Sequence, residues 1–330
     1  MKKPVRFPYF GRIFCFFLVL LATVALSGCR NQRKQSQADL RRDGIEALAD
    51  GQYNKAAKSF KSALGLAGSS VTDMEIDLTY YLAAAYFLQE RYDKAIECYS
   101  NLIVYNKKNA DAYYLRGSVY LDEGEKDRAM ADYRAATMIA KDDYELAIAI
   151  FKNLRANGMK EDASEYLNAA LAINGDKARN YYYRGRIYLI LGQEDVAKTA
   201  FMKAMEKGSD DAAVFLAKTY MKEKDVKSAN EVLGKFLSEK RTVSQSVLAG
   251  QVYLSLGEYK KAYKVFDAAQ KKMDEEKRRN ESYKDLLKGR IAALEYCGEF
   301  ERAKTDARVY VKEFPADGSM VRELAFLETR

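Results

Sequence analysis

The amino-acid sequence predicts an all-α protein built from repeated pairs of short helices. The segment 110–143 shows the unit most clearly, because small and aromatic residues recur at helical spacing on both sides of Gly124. These residues, which would share one face, are Tyr113, Gly117, Tyr120, Ala129, Tyr133 and Ala136. The pattern returns along the chain at intervals of about 34 residues, and each unit needs neighbours because it cannot bury its apolar face alone.

This pattern resembles the tetratricopeptide repeat, a helix–turn–helix unit of about 34 residues. The residues of segment 110–143 match the signature places of that family, with Gly124 in the turn. The resemblance implies a right-handed superhelical solenoid in which the first helix of each repeat lines a concave groove. Gly117 and Ala129 are the small residues that let the two helix backbones approach closely, and tyrosines fill the space beside them.

Eight repeats and a final helix account for nearly all of residues 37–330. No glycine-rich or proline-rich linker divides them, so we expect one continuous solenoid. The repeats are predicted near 37–70, 76–109, 110–143, 144–177, 178–209, 210–242, 243–276 and 284–317, with a capping helix at 319–329. A polar-faced cap of this kind usually covers the exposed end of a repeat array.

Residues 1–28 have the composition of an export signal. A basic head without acidic residues precedes an apolar run that is shorter than the roughly 20 residues needed to span a bilayer. The run ends in the tetrapeptide LSGC, which resembles the lipobox of bacterial lipoproteins. The resemblance implies that residues 1–28 are removed and that Cys29 carries the lipid; the alternatives are an uncleaved signal anchor or a chance cysteine. The polar residues 29–38 are expected to form a flexible tether.

The positive charge of the chain belongs to its amino-terminal segment. The sequence has 55 lysine and arginine residues against 47 aspartate and glutamate residues, a formal net charge of +8. Nine of the basic residues and one of the acidic residues lie within 1–42, which leaves 46 of each sign in the remainder. The body of the protein is therefore neutral overall, and nucleic acid is not the expected partner.

The composition argues against an enzyme and against a metal or cofactor site. The sequence has no histidine, which removes histidine general bases, Ser–His and Cys–His nucleophiles and histidine metal ligands. After Cys29 only Cys98 and Cys297 remain. They fall in the second and eighth predicted repeats, too far apart for a disulfide, so we expect two free thiols.

The resemblance also places a candidate binding groove on the first helices of the repeats. The candidate residues are Tyr80, Phe87, Tyr114, Lys152, Arg155, Arg179, Tyr182, Arg186 and Lys218. Lys152, Arg186 and Lys218 occupy one groove-facing place in three consecutive repeats and would form a basic stripe. Ile148 and Val214 stand at another groove-facing place. The alternative is that the tyrosines pack between helices and the charged side chains are simply solvated.

These features favour a membrane-anchored, extracytoplasmic interaction scaffold of the bacterial cell envelope without enzymatic activity. It would hold a protein or peptide partner in the groove, for envelope assembly, secretion or turnover. The lipid on Cys29 would attach it to the outer side of an inner, outer or sole membrane. The alternative is a surface lipoprotein that captures peptides or glycans through groove tyrosines such as Tyr114 and Tyr182, since fold alone does not decide function.

Overall fold

The protein is a succession of helix pairs in the computed structural model, which describes residues 32–68, 70–276 and 282–329. The first helices of the pairs are α1 (32–49), α3 (Asp73–Phe87), α5 (Ala110–Asp122), α7 (Tyr144–Ala156), α9 (Ala178–Ile190), α11 (Asp210–Lys222), α13 (Val243–Ser255) and α15 (Tyr283–Tyr296). The second helices are α2 (Tyr53–Gly65), α4 (Tyr92–Tyr105), α6 (Lys126–Ile139), α8 (Lys160–Leu171), α10 (Glu194–Glu206), α12 (Val226–Leu237), α14 (Tyr259–Glu276) and α16 (Phe300–Glu313), and α17 (Gly318–Glu328) follows them. These ranges contain no strand, and the predicted all-α class of eight repeats plus a terminal helix is confirmed.

The helices divide into two compact units. The first unit ends at Ala163 and the second begins at Ser164, so the division falls inside α8. Each unit has its own set of buried apolar side chains. The expected continuity of one solenoid across this division stays a prediction.

Each pair turns at one residue in the left-handed backbone region. In the third repeat this residue is Gly124, with a φ of 89°, and its N–H donates to the carbonyl oxygen of Leu121 at 3.1 Å. Glycine adopts this conformation without the steric cost that a Cβ atom introduces. Repeats two and six place Glu90 and Lys224 there, with φ values of 58° and 62°. The glycine pattern in the sequence therefore marks the turn even though two repeats depart from it.

The two helices of the third repeat meet at the small residues that the sequence predicts. Ala129 of α6 is fully buried. A Cβ atom added to Gly117 of α5 would lie 2.9 Å from Tyr133 Cε1 and 3.2 Å from the carbonyl oxygen of Ala129. A side chain at position 117 would therefore push the helices apart, because packed interiors leave no room for another methyl group.

Residues 32–38 are helical, which corrects the flexible tether expected over 29–38. They form the first turns of α1. The buried side-chain amide of Gln37 donates to the carbonyl oxygen of Ala63 at 3.1 Å and to Glu75 Oε1 at 2.9 Å. The sequence around Gln37 is polar and gives no sign of burial, because the partners of Gln37 come from α2 and α3. The predicted signal peptide and Cys29 lie outside the described residues.

The second unit ends in α17, as the capping prediction requires. Leu327 is fully buried and Met320 is buried. Just before the helix, Asp317 accepts a hydrogen bond from the Tyr310 hydroxyl at 2.7 Å and pairs with Lys288 at 2.8 Å. The Lys288 ammonium, with its hydrogen bond, holds the pKa of Asp317 well below its ordinary value.

Within the described ranges, no helix combines the length and the apolar composition needed to cross a bilayer.

Candidate partner-binding surface

In the first unit, the candidate tyrosines pack between helices. The Tyr80 hydroxyl donates to Asn109 Oδ1 at 2.8 Å, and its ring centroid lies 6.2 Å from that of Tyr99. The Tyr114 ring lies 5.9 Å from the ring of Tyr133 in a tilted arrangement. Tyr99 and Tyr133 are buried, whereas Tyr80 and Tyr114 keep part of their surface exposed. These contacts favour the packing interpretation for Tyr80 and Tyr114.

Phe87 has the same role at the end of α3. Its ring lies 5.9 Å from the ring of Tyr92, which begins α4. The contact closes the turn of the second repeat on its apolar side. Phe87 is partly buried there.

The two basic candidates of the first unit lie one turn apart on α7, and both are exposed. They are Lys152 and Arg155, and the guanidinium carbon of Arg155 lies 5.6 Å from the centre of the Phe151 ring. Ile148, expected to face the groove, is only 2% exposed. That expectation is wrong, because the neighbouring helices cover this place on α7. Lys152 belongs to the first unit, so its alignment with Arg186 and Lys218 stays a prediction.

In the second unit, the candidate basic residues gather around a set of aromatic rings. We call this set the α9–α11 cluster, and it consists of Arg179, Tyr182, Tyr183, Arg186, Phe215 and Lys218. Helix α9 carries the first four residues and α11 the last two. Helices α9 and α11 pack against each other. Residues three or four apart on one helix share a face, so these six side chains come to one surface.

The guanidinium group of Arg186 lies at the centre of the α9–α11 cluster. Its carbon atom is 5.5 Å from the ring centre of Tyr182, 5.2 Å from Tyr183 and 5.5 Å from Phe215. Tyr182 meets Tyr183 edge-on at 5.0 Å and Phe215 edge-on at 5.4 Å. Cation–π attraction and edge-to-face ring contacts hold these side chains in place. Arg179 extends the set, with its guanidinium carbon 5.4 Å from the Tyr183 ring.

Lys218 is the half-buried cation of the cluster. Its Nζ atom lies 5.4 Å from the ring centre of Phe215. Burial alone lowers the pKa of Lys218, because desolvation disfavours the charged ammonium. The salt bridges found within the described ranges do not include it. An anionic group of a bound ligand would offset the energetic cost of desolvating this ammonium.

Sequence reasoning missed Tyr183 and Phe215. Both occupy the sixth place of their first helix, next to the fifth place that was expected to face the groove. Val214, at that fifth place, is only 2% exposed, so the expectation for Val214 is wrong. The available signal was the recurrence of an aromatic residue at the sixth place in consecutive repeats.

Among the residues that the structure describes, this surface offers cationic and aromatic groups. In the residues that the structure describes, no group of three or more Cys, Asp or Glu side chains is placed to hold a metal ion. Cys98 is a free cysteine with a buried side chain, and burial raises the pKa of its thiol to about 11. A thiol with a raised pKa is a poor nucleophile near neutral pH.

Several family profiles match the chain along its length. The tetratricopeptide repeat profiles match residues 42–100, 110–143 and 178–206, and a TPR repeat profile matches 83–124. The chain contains tetratricopeptide repeats. A profile described as anaphase-promoting complex, cyclosome, subunit 3 matches residues 197–269. Tetratricopeptide folds are typically non-catalytic scaffolds that bind protein partners, and none of these profiles describes an enzyme family.

The similar proteins share the repeat but little identity. A TPR repeat-containing protein of Methanocaldococcus jannaschii is 24% identical over 160 residues, which cover 48% of this chain and 27% of the relative. The chain therefore matches about a quarter of that relative's length. A tetratricopeptide repeat protein from Parabacteroides merdae is 17% identical, with a TM-score of 0.42 and coverage of 79% of this chain and 99% of that one. PilW, a type IV pilus biogenesis factor, is 19% identical, with a TM-score of 0.37 and coverage of 66% and 100%.

Proposed function

We propose that this tetratricopeptide-repeat protein is a lipid-anchored scaffold on the outer side of a bacterial membrane, and that it holds an acidic segment of a protein partner at the α9–α11 cluster. The observation that carries the binding part is the environment of Lys218. Its ammonium is half-buried and takes part in none of the salt bridges found within the described ranges. The amino-terminal sequence supports the anchoring part, through the basic head, the short apolar run and the LSGC motif ending at Cys29.

The chemistry of the α9–α11 cluster suits a carboxylate ligand. Arg186 offers a planar guanidinium that the surrounding rings orient, and such a group can donate two parallel hydrogen bonds to one carboxylate. Lys218 offers a second positive charge on the neighbouring helix. The rings of Tyr182 and Phe215 add apolar contact beside the charges, as residues that dominate binding energy often do. An aspartate- or glutamate-rich peptide presents the matching groups.

A peptide-binding assay tests the recognition part of this proposal. The probe is a fluorescein-labelled oligoglutamate peptide, measured by anisotropy against the full chain. Arg186→Glu and Lys218→Glu should each weaken binding about 10- to 100-fold, because a hydrogen bond to a charged group contributes roughly 1.5–3 kcal/mol. Lys264→Glu is the matched control, since Lys264 is an exposed lysine of the same unit on α14. Equal affinity of the Lys218→Glu variant and the unaltered protein would overturn the proposal.

The binding should also depend on pH in a direction that the structure specifies. Burial lowers the pKa of Lys218 in the free protein, whereas a bound carboxylate would raise it again. Binding is therefore strongest where Lys218 is protonated and weakens as the pH rises through its lowered pKa. Arginine keeps its positive charge throughout this pH range. The Lys218→Arg variant should therefore keep its affinity further into the alkaline range.

Metabolic labelling tests the anchoring part separately. Cells that express the full chain are supplied with a fatty-acid analogue carrying a chemical handle. The unaltered protein should incorporate the label and Cys29→Ala should not, because the thiol is the acylation nucleophile of the motif. Label that persists in the Cys29→Ala variant would contradict the proposed lipidation of Cys29.

A further inference from the structure

The exposed apolar side chains of the first unit collect at one edge of its helices. Among the described residues of this unit, the exposed large hydrophobic side chains are Val71, Leu88, Val104, Tyr105 and Met138. Val104 is 77% exposed, Met138 71% and Tyr105 57%. All except Leu88 lie where a second helix ends or in the turn that leads to the next first helix. We call these four residues the apolar edge.

The period of the repeats places these residues in a row. Val104 is the second-last residue of α4 and Met138 is the second-last residue of α6, so they occupy the same place in consecutive repeats. Val71 lies in the preceding turn of the same type, just before α3. Helices α4 and α6 both pack on α5, so their carboxyl-terminal ends, which carry Val104 and Met138, lie at the same end of α5.

The amino-terminal end of α1 lies on this same edge. Gln37, near the start of α1, hydrogen-bonds to the carbonyl oxygen of Ala63 near the end of α2 and to Glu75 near the start of α3. The chain therefore enters the first unit beside the ends of second helices and the starts of first helices. The α2–α3, α4–α5 and α6–α7 turns lie at the corresponding ends of their helices.

The distance from the predicted anchor to α1 is short. Helix α1 is present from residue 32, so two residues, Arg30 and Asn31, lie between Cys29 and the helix. The three steps along the chain from Cys29 to residue 32 span at most about 10 Å. The stretch of α1 from residue 32 to Gln37 adds about 8 Å, at about 1.5 Å per residue. A lipid on Cys29 would therefore keep the edge beside Gln37 within about 18 Å of the membrane surface.

We infer that the apolar edge of the first unit rests on the lipid bilayer to which the chain is anchored. This inference rests on the proposed lipidation of Cys29. Val104 and Met138 would enter the interface between headgroups and acyl chains, and the Tyr105 ring suits that region because it has an apolar body and a polar hydroxyl. The anchor then sets an orientation, with the helices of the first unit directed away from the membrane.

The charges of this edge indicate that the contact depends on apolar insertion and not on anionic lipid. Its exposed basic and acidic residues nearly balance one another, and they are Arg33, Lys34, Lys107, Lys108 and Lys141 against Asp73, Asp111, Asp142 and Glu145. The long lysine stems can reach upward to the headgroups while their neighbours enter the interface. Zwitterionic phosphatidylcholine should therefore be sufficient as the membrane.

The absence of tryptophan from the sequence permits a direct test. The chain from residue 30 onward, with a polyhistidine tag in place of the lipid, is bound to phosphatidylcholine vesicles that contain a nickel-chelating lipid. Val104→Trp and Met138→Trp each introduce a single reporter on the apolar edge. Leu88→Trp is the matched control, because Leu88 is exposed at the opposite ends of the helices, after α3. Circular dichroism verifies that each variant keeps its helices.

On tethered vesicles, the emission of the Val104→Trp and Met138→Trp variants should shift to shorter wavelength, and brominated phosphatidylcholine should quench it. The Leu88→Trp emission should stay unchanged. Equal responses of Val104→Trp and Leu88→Trp, or no response from either, would overturn the inference. A blue shift that needs no vesicles and grows with protein concentration would also overturn it, by showing that a second copy covers the edge. Because the tag replaces the lipid, failure here leaves the labelling test of Cys29 unaffected.

Discussion

Replacing Ala129 with leucine should destabilise the first unit, because Ala129 lies where two helix backbones come closest. The residue is fully buried, and its carbonyl oxygen is only 3.2 Å from the position that a Cβ atom on Gly117 would take. Leucine adds three carbon atoms at this contact, with no free surface toward which they can turn. Overpacking of this kind costs roughly 1–3 kcal/mol of unfolding free energy.

The free energy of unfolding is measured by urea titration and the melting temperature by circular dichroism. For a unit of this size, each 1 kcal/mol lowers the melting temperature by about 2–4 °C, so the expected loss is about 2–12 °C. Ala131→Leu is the matched control, because Ala131 is an exposed alanine on the same helix. Lys126→Ala, at an exposed residue, should likewise change stability by less than about 0.5 kcal/mol. An Ala129→Leu variant as stable as Ala131→Leu would show that the predicted register of the third repeat is wrong.

Two further predictions concern the second unit. Gly185→Ala should cost roughly 1–3 kcal/mol in urea titrations, because its Cβ would lie 2.6 Å from Phe201 Cε1, whereas Gly234→Ala meets nothing within 4 Å and should be neutral or stabilising. Burial, and then the charge of Glu323, raises the pKa of Glu295 from 4.5 to about 7. Because the folded value lies above the unfolded one, the stability from protonated Glu295 is fully present below about pH 4.5 and is lost as the pH rises through about 7. Glu295→Gln should therefore melt higher than the unaltered protein above pH 7 and show no such advantage in acid; a gain independent of pH would contradict this reasoning.

The candidate surface shows where reasoning from one sequence stops. The family resemblance directed attention to Arg186 and Lys218, and the structure places both against aromatic rings. It also directed attention to Tyr80 and Tyr114, which pack on aromatic side chains of their own repeats. The sequence pattern is the same for a tyrosine that packs between helices and for one that lies at a binding surface. Only the neighbouring helix decides whether its ring is covered or presented.

The sequence by itself determined the helix pairs and their turns. These features depend on local spacing: small residues recur where backbones approach, and Gly124 marks a turn that needs a positive φ. Each repeat contains the information for its own pair, so the pattern can be recognised without knowing how the chain packs. Repetition along the chain then strengthened an assignment that one unit alone would not support.

The tertiary structure decided which polar side chains are buried and which apolar side chains are not. Gln37 belongs to a buried hydrogen-bond network only because α2 and α3 bring Ala63 and Glu75 beside it. Val104 is exposed only because its place at the end of α4 has no helix against it. Burial is a property of what lies next to a residue in space, and for a repeat protein that neighbour is found one repeat away in the chain.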